Sequence, residues 1–364
     1  MRYVNSWILL CIFLLSSSVY SKDTDQTTEG YTLSKIRITN ISVNSATANN
    51  AMSLINTRAI NQVNSGSNEF VKPNISNFQG QGIEWETDIR HSNFIRTNYF
   101  LSHANLHSGS NNLNDLATLN FQPYMGSPVS ITDLSFRTYS NNKLITSRVA
   151  FLTDFFFFEN SSNKYLENLA FRIGVEAYGN TFSTSSKPYP YVGVSNGAPY
   201  SGIDAINQEK IKFAETFGNA VIGMNYKLNL SPVSSFDFGF EYFKSFGNDS
   251  KYENQYLSMS ISSLGTYLPI ASKATGLVKS ELEGFRTSLG YRYYINEISF
   301  FRVSFAYQDS TQKVKDADVP SSGNLIISSD ISQLLFTLAS PPMGPFPNSR
   351  DTRSQFGIEF GYKY

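Results

Sequence analysis

The chain closes on SQFGIEFGYKY, residues 354–364, in which Phe356, Ile358, Phe360, Tyr362 and Tyr364 alternate with Gly357, Glu359, Gly361 and Lys363. A period of two is the mark of a strand with one apolar face. Chain ends ordinarily fray, so a patterned strand at the end of a chain needs a partner. A sheet that crosses a membrane supplies a reason. In hydrocarbon each unpaired backbone N–H or C=O costs several kcal/mol, so the sheet must close, first strand against last. The ending therefore reads as the closing strand of a barrel.

Working backwards, the same alternation recurs in NLAFRIGVEAYG (168–179), SFDFGFEYF (235–243), GFRTSLGYRYYI (284–295) and ISFFRVSFAY (298–307). One face is aromatic or aliphatic; the other mixes Gly, Ser, Arg, Glu and Asp. Soluble sandwiches alternate too, but their strands are shorter, whereas runs of this length suit a tilted crossing of about 9–11 residues. Connections alternate short and long. SPVS occurs at 127–130 and 231–234, INE at 295–297, and long polar segments lie at 183–214, 247–281 and 311–353. Aromatics gather at a strand end in FLTDFFFFEN, where Phe155 and Phe157 suit an interfacial girdle.

These features predict an all-β fold: a transmembrane, antiparallel, up-and-down β-barrel of ten strands, with eight and twelve open. The strands map to 94–105, 116–126, 131–139, 144–157, 167–182, 215–230, 235–246, 282–295, 298–310 and 354–364. GIEWETDIR, 82–90, either lengthens the first strand or forms another. Both SPVS turns and INE fall on the side of the termini, and the three long segments on the other.

Before the barrel, MRYVNSWILLCIFLLSSSVYS has one charge, Arg2, a nine-residue apolar run and small residues at Val19 and Ser21, so residues 1–21 read as a secretory signal peptide. Residues 22–80 read as an N-terminal periplasmic arm or plug, and 81–364 as the barrel. Met52, Ile55 and Val63, beside Ala59, have roughly helical spacing, against the alternative of a loose polar arm. Aromatics make up 15% of residues and charged residues only 16%, where a soluble domain carries about 25% charge. Removing Arg2 leaves 28 basic against 29 acidic residues, which offers nucleic acid no basic surface.

The ending resembles the C-terminal assembly signal of bacterial outer-membrane β-barrel proteins. Gln355, Gly357, Phe360, Tyr362 and Tyr364 carry the likeness, with two residues following the usual end point. The resemblance implies the bacterial outer membrane as location, and outer-membrane lipid and the barrel-assembly machinery as partners.

Register assigns the interior. An Arg on the lipid face at mid-membrane costs about 2–4 kcal/mol, and a slip of one residue would put it there. Arg148, Arg172, Glu176, Asp237, Glu241, Arg286, Arg292, Arg302 and Glu359 are thus expected to line the lumen, with Arg96, Asp133, Arg137, Asp154 and Lys227 on the same face. They either line an aqueous path or pair with one another and fill a narrow barrel. In the last loop Asp330 and Gln333 look like a capping box ahead of Ile331, Leu334, Leu335 and Leu338, a short helix suited to the barrel mouth.

No catalytic, cofactor or metal site is expected. The histidines are His91, His103 and His107, none followed by His-x-Ser spacing along one strand face. The single cysteine, Cys11, leaves with the signal, and no Gly-x-Ser-x-Gly elbow occurs. Catalysis by His103 or His107 with a carboxylate such as Asp115 is the minor alternative. The function expected is a narrow porin-like channel for small solutes. The alternative is an adhesin displaying 183–214 and 311–353 to a host surface ligand.

Overall fold

The computed structural model describes residues 31–52, 75–121, 129–158, 166, 168–187, 189–195, 198–204, 208–261, 267–318, 321–324 and 348–364. Side chains are described for these apart from 111–121, 129–137, 187–208, 256–272, 274 and 321–324. The strands are β1 (Thr32–Asn44), β2 (Phe78–Arg90), β3 (Ile95–Ser108), β4 (Asn111–Phe121), β5 (Val129–Phe155), β6 (Leu169–Lys187), β7 (Tyr189–Ser195), β8 (Ala198–Asp204), β9 (Gln208–Ser231), β10 (Ser234–Ile261), β11 (Tyr267–Tyr294), β12 (Ser299–Asp318), β13 (Ser321–Asn324) and β14 (Ser349–Lys363).

Ten of them form a closed antiparallel ring in the order β1, β2, β3, β5, β6, β9, β10, β11, β12, β14 and back to β1. The closing seam is the pairing of β1 with β14, which runs from Leu33↔Lys363 to Asn44↔Thr352. Two backbone bonds finish it. Thr32 N donates to Tyr364 O at 3.0 Å, and Tyr364 N donates to Thr32 O at 2.9 Å. The last residue is thus part of the ladder, which answers the pattern at the chain's end.

Outside the ring, the faces carry an apolar band next to the termini. Ile36, Ile38, Ile83, Leu101, Phe151, Ile173, Phe238, Leu289, Phe305, Ile358 and Phe360 are all exposed. Further from the termini the same faces turn polar, with Asn40, Gln79, Lys143, Lys212, Lys251, Glu281 and Arg350. Short turns at 91–94, 232–233 and 295–298 close the strands at the terminal end, so the second SPVS and INE sit where expected. No helix among the described residues is long and apolar enough to cross a membrane.

The strand number matches the expectation while two assignments differ. β1 lies within the segment expected to be an arm or plug, yet it pairs on both sides as a ring strand. Its outward face offers only Ile36 and Ile38 between Ser34 and Asn40, too brief an apolar run to stand out. β2, which contains GIEWETDIR, is a separate crossing. Conversely, 116–121 of the expected strand 116–126, and 131–139, are not crossings. β4 and the first part of β5 form a hairpin beyond the ring on the side away from the termini, so Val129 and Ser130 of the first SPVS lie at the opposite end from the one expected, its other two residues being outside the described residues. A free-standing hairpin alternates with the same period as a membrane strand, so patterning cannot separate them. β7 and β8 extend this hairpin into a small sheet.

Ile358 faces outward beside Ile38 and Val303. Ile358→Arg is expected to lower stability by about 2–4 kcal/mol, read as a shifted urea midpoint for unfolding from lipid vesicles.

Candidate functional site

The candidate site is the lumen. Alternation sends the polar face of each strand inward, and there the charges meet. One chain of contacts runs along the β1 side. Lys35 Nζ bonds Asp88 at 2.6 Å and Glu86 at 2.8 Å. Arg37 reaches Glu84 at 2.6 Å and also Glu359. Arg302 joins Glu359 at 3.3 Å to Asp237 at 3.0 Å, and Arg292 bonds Asp237 at 2.8 Å. A second chain crosses the barrel. Arg96 and Arg172 hold Asp154 at 2.6 and 2.7 Å. Arg172 continues to Glu241 at 2.7 Å, and Arg148 and Arg286 link Glu241 to Glu176. Between them the two chains use eight cations (Lys35, Arg37, Arg96, Arg148, Arg172, Arg286, Arg292, Arg302) and eight carboxylates (Glu84, Glu86, Asp88, Asp154, Glu176, Asp237, Glu241, Glu359).

The balance matters physically. A charge without a partner in a dry interior costs several kcal/mol, and pairing recovers it only where the remaining bonding sites are also used. Here Glu176 is fully engaged: it accepts from Arg148, Arg286 at both oxygens and Asn219. Rings carry the guanidinium faces. Arg148 lies 4.7 Å over Phe100, and Arg286 4.1 Å over Phe243.

All nine lumen residues expected from the sequence take part in these chains, as do Arg96 and Asp154. Lys227 stands apart at the terminal mouth, 5.2 Å over the Tyr294 ring. Asp133 and Arg137 lie in the outer hairpin, and their side chains fall outside the described residues. The sequence reading missed Lys35, Arg37, Glu84, Glu86 and Asp88, because β1 was not placed in the wall and the place of 82–90 was left open. Gln355 Nε2 donates to Glu84 at 2.5 Å. Gly357 leaves room for Arg37, whose Cδ would lie 2.6 Å from a Cβ there. Phe360 and Tyr362 face outward.

Above the ion pairs, away from the termini, the lumen is filled by side chains. A helical turn over residues 46–52 enters from the β1–β2 connection, with Ala46, Ala48, Ala51 and Met52 buried. It packs with Ile75, Phe78, Leu106, Tyr139, Leu144, Phe182, Phe213 and Tyr252 in one apolar cluster. Such a segment was expected as one of two possibilities, and Met52 lies in it; Ile55, Ala59, Val63 and the last-loop stretch 331–338 lie outside the described residues. Wall groups pin the turn. Thr47 donates to Glu215, Gln312 Nε2 donates to Glu215 at 2.6 Å, Asn180 Nδ2 donates to Thr47 at 3.1 Å, Ala46 N donates to Asp351 at 3.3 Å, and Ser349 donates to Asn50 at 2.5 Å. Below the turn a cavity of about 1030 Å³ opens at the terminal end and is lined by members of both ion-pair chains. No cluster able to hold a metal ion occurs among the described residues.

Glu215 stands sixteen residues along β9 from Ser231 (231 minus 215), beyond the 9–11 of a tilted crossing. Burial pushes its carboxyl up to about 7. The two neutral donors and Arg353 oppose the rise, and Asp351 adds to it.

No known family matches the sequence, and no curated protein matches it. Among solved structures, the outer-membrane protease OmpT of Escherichia coli is similar at 9% identity over 94% of this chain and 99% of its own, with a TM-score of 0.43. The Pseudomonas putida toluene transporter TodX is similar at 7% identity over 93% and 90%, with a TM-score of 0.21. Acinetobacter baumannii CarO2 is similar at 6% over 90% and 99%, with a TM-score of 0.18. None of these similarities bears on activity, and the barrel architecture stands on the strand pairings themselves.

Two outcomes follow. Glu176→Ala leaves Arg148 and Arg286 short of an acceptor and is expected to cost about 3–5 kcal/mol, measured as a lowered denaturant midpoint in micelles. For Glu215 the folded-state pKa is raised, so the folded protein holds an extra proton between the ordinary carboxyl range and about 7. Its contribution is full below that window and is lost as pH rises through it. Hydrogen exchange of the 46–52 amides should therefore be faster at pH 8 than at pH 5.5 after correction for intrinsic rate. Glu215→Gln should flatten that difference.

Proposed function

We propose that the chain is an integral β-barrel protein of a bacterial outer membrane, sealed across its lumen, whose tall outer collar binds at the cell surface. The observation that carries this reading is the helical turn over residues 46–52 packed into an apolar cluster above balanced ion pairs. Apolar packing over neutral charge chains gives hydrated solutes no continuous path. The outward apolar band supports membrane insertion, since such a surface stays soluble only against lipid. The collar is supported by strand length. β9, β10 and β11 run 24, 28 and 28 residues, well past a crossing. In this reading Gln355, Gly357, Phe360, Tyr362 and Tyr364 serve the assembly machinery, and the barrel itself performs no catalysis inside its lumen.

A narrow channel for small solutes is the second reading. The cavity of about 1030 Å³ favours it, because a displaced plug would join that space to the other side. The nine inward arginines and carboxylates would then line the path.

Planar-bilayer recording of the refolded chain 22–364 separates the two. The sealed scaffold predicts no sustained conductance, and replacement of 45–76 by a short turn should produce it. Sustained steps from the unaltered chain would overturn the scaffold and leave the channel.

A further inference from the structure

One cluster lies on the outside of the barrel and has no part in the lumen. The register sets His103 of β3 directly opposite Ser147 of β5, and His103 Nδ1 lies 3.0 Å from Ser147 Oγ. Asn105, two residues on and so on the same face, brings its amide 3.5 Å from His103 Nε2. A half-turn of that amide presents its oxygen instead of its nitrogen. A hydroxyl, an imidazole and an orienting side chain in hydrogen-bond sequence is the general pattern of an activated nucleophile.

The location adds a second observation. His103 is eight residues along β3 from Ile95, and Ser147 is eight along β5 from Phe155 (103 minus 95; 155 minus 147). Toward the termini the outward neighbours are Leu101, Val149 and Phe151; away from them they are Asn105, Ile145, His107 and Lys143. The pair thus stands where the apolar band gives way to polar surface, the level at which the ester linkages of a bilayer lipid lie between acyl chain and headgroup.

A third observation is the surface next to the serine. Gly179 of β6 is directly opposite Ser147. Ala177, Thr216 and Gly218 continue the small outward residues across β6 and β9. Phe246, 71% exposed, walls the far side with its ring over Gly218. Beside the hydroxyl the surface is thus made of small side chains bordered by one aromatic ring, a face on which an acyl chain meets no bulky or charged group.

We propose that Ser147, His103 and Asn105 form a serine acyl-hydrolase site on the outward face of the barrel, acting on carboxylic esters of membrane lipids. Ser147 Oγ attacks the ester carbonyl while its proton passes to His103 Nδ1. Asn105 holds the Nε2–H edge of the ring, which fixes the tautomer in which Nδ1 is the acceptor. The new Oγ–acyl bond forms, the ester C–O bond breaks, and the proton on Nδ1 goes to the departing alcohol oxygen. Water then attacks the acyl-serine and gives a proton to Nδ1. The acid product leaves as the proton returns to Ser147 Oγ. The site needs no open lumen, so it stands whether the barrel conducts or not.

The test uses the refolded chain 22–364 in micelles, with heat-modifiable migration as the check on folding. A dodecyl fluorophosphonate should label the folded protein at Ser147, and para-nitrophenyl dodecanoate should be hydrolysed. Ser147→Ala should abolish both. His103→Ala should lower both rates by roughly 10²–10⁴-fold while leaving migration unchanged, and Asn105→Ala should lower them by a smaller factor. An unlabelled but folded wild-type chain, or hydrolysis that persists in Ser147→Ala, would overturn the proposal.

Discussion

The pairing of β1 with β14 is the constraint on which the rest of the structure depends. A membrane-spanning sheet tolerates no free edge, because hydrocarbon offers backbone groups no other partner. Every other feature is compatible with an open sheet; only the seam makes an inside and an outside. Its terminal bonds reach the last residue, Tyr364. The aromatics of the closing strand therefore serve twice. Their backbone completes the ladder, and their side chains join the outward apolar band.

Once there is an inside, two solvents impose opposite demands on one period of two. The outward face takes Phe, Ile and Tyr. The inward face takes ion pairs near the termini and, beyond them, an apolar cluster with Glu209, Glu215, Asp351 and Arg353 buried around it. The inward charges are tolerable because each carboxylate of the two chains meets a cation, and the balance of eight and eight leaves the two chains with no net charge between them. The buried helical turn packs Ala48, Ala51 and Met52 into the lumen above them.

Much of this was legible in residues. Arginines opposite aromatics gave the register of β5, β6, β11 and β12, because the alternative placed a guanidinium in lipid. Two things were not legible. Strand β1 is patterned by Ile36 and Ile38 alone, and its inward Lys35 and Arg37 find Glu84, Glu86 and Glu359 only through pairing that no local pattern announces. The outer hairpin of β4 and β5 imitates crossings, since alternation reports a two-faced strand and not the solvent on its apolar side. Likewise, His103 and Ser147 lie 44 residues apart and become neighbours through register; a search along one strand could not find them.

The seam also dictates an order of events in making the molecule. Ile38 pairs with Ile358, so the closing contacts join the two extremes of the chain, the contacts of greatest sequence separation and the slowest to form. The turn over residues 46–52 hangs between β1 and β2 and reaches across to Asn180, Glu215, Ser349 and Asp351 on other walls. A tethered segment enters most freely while the wall still gapes. Zipping β1 to β14 after that entry would enclose the turn, an order in which the lumen is filled before the ring is complete.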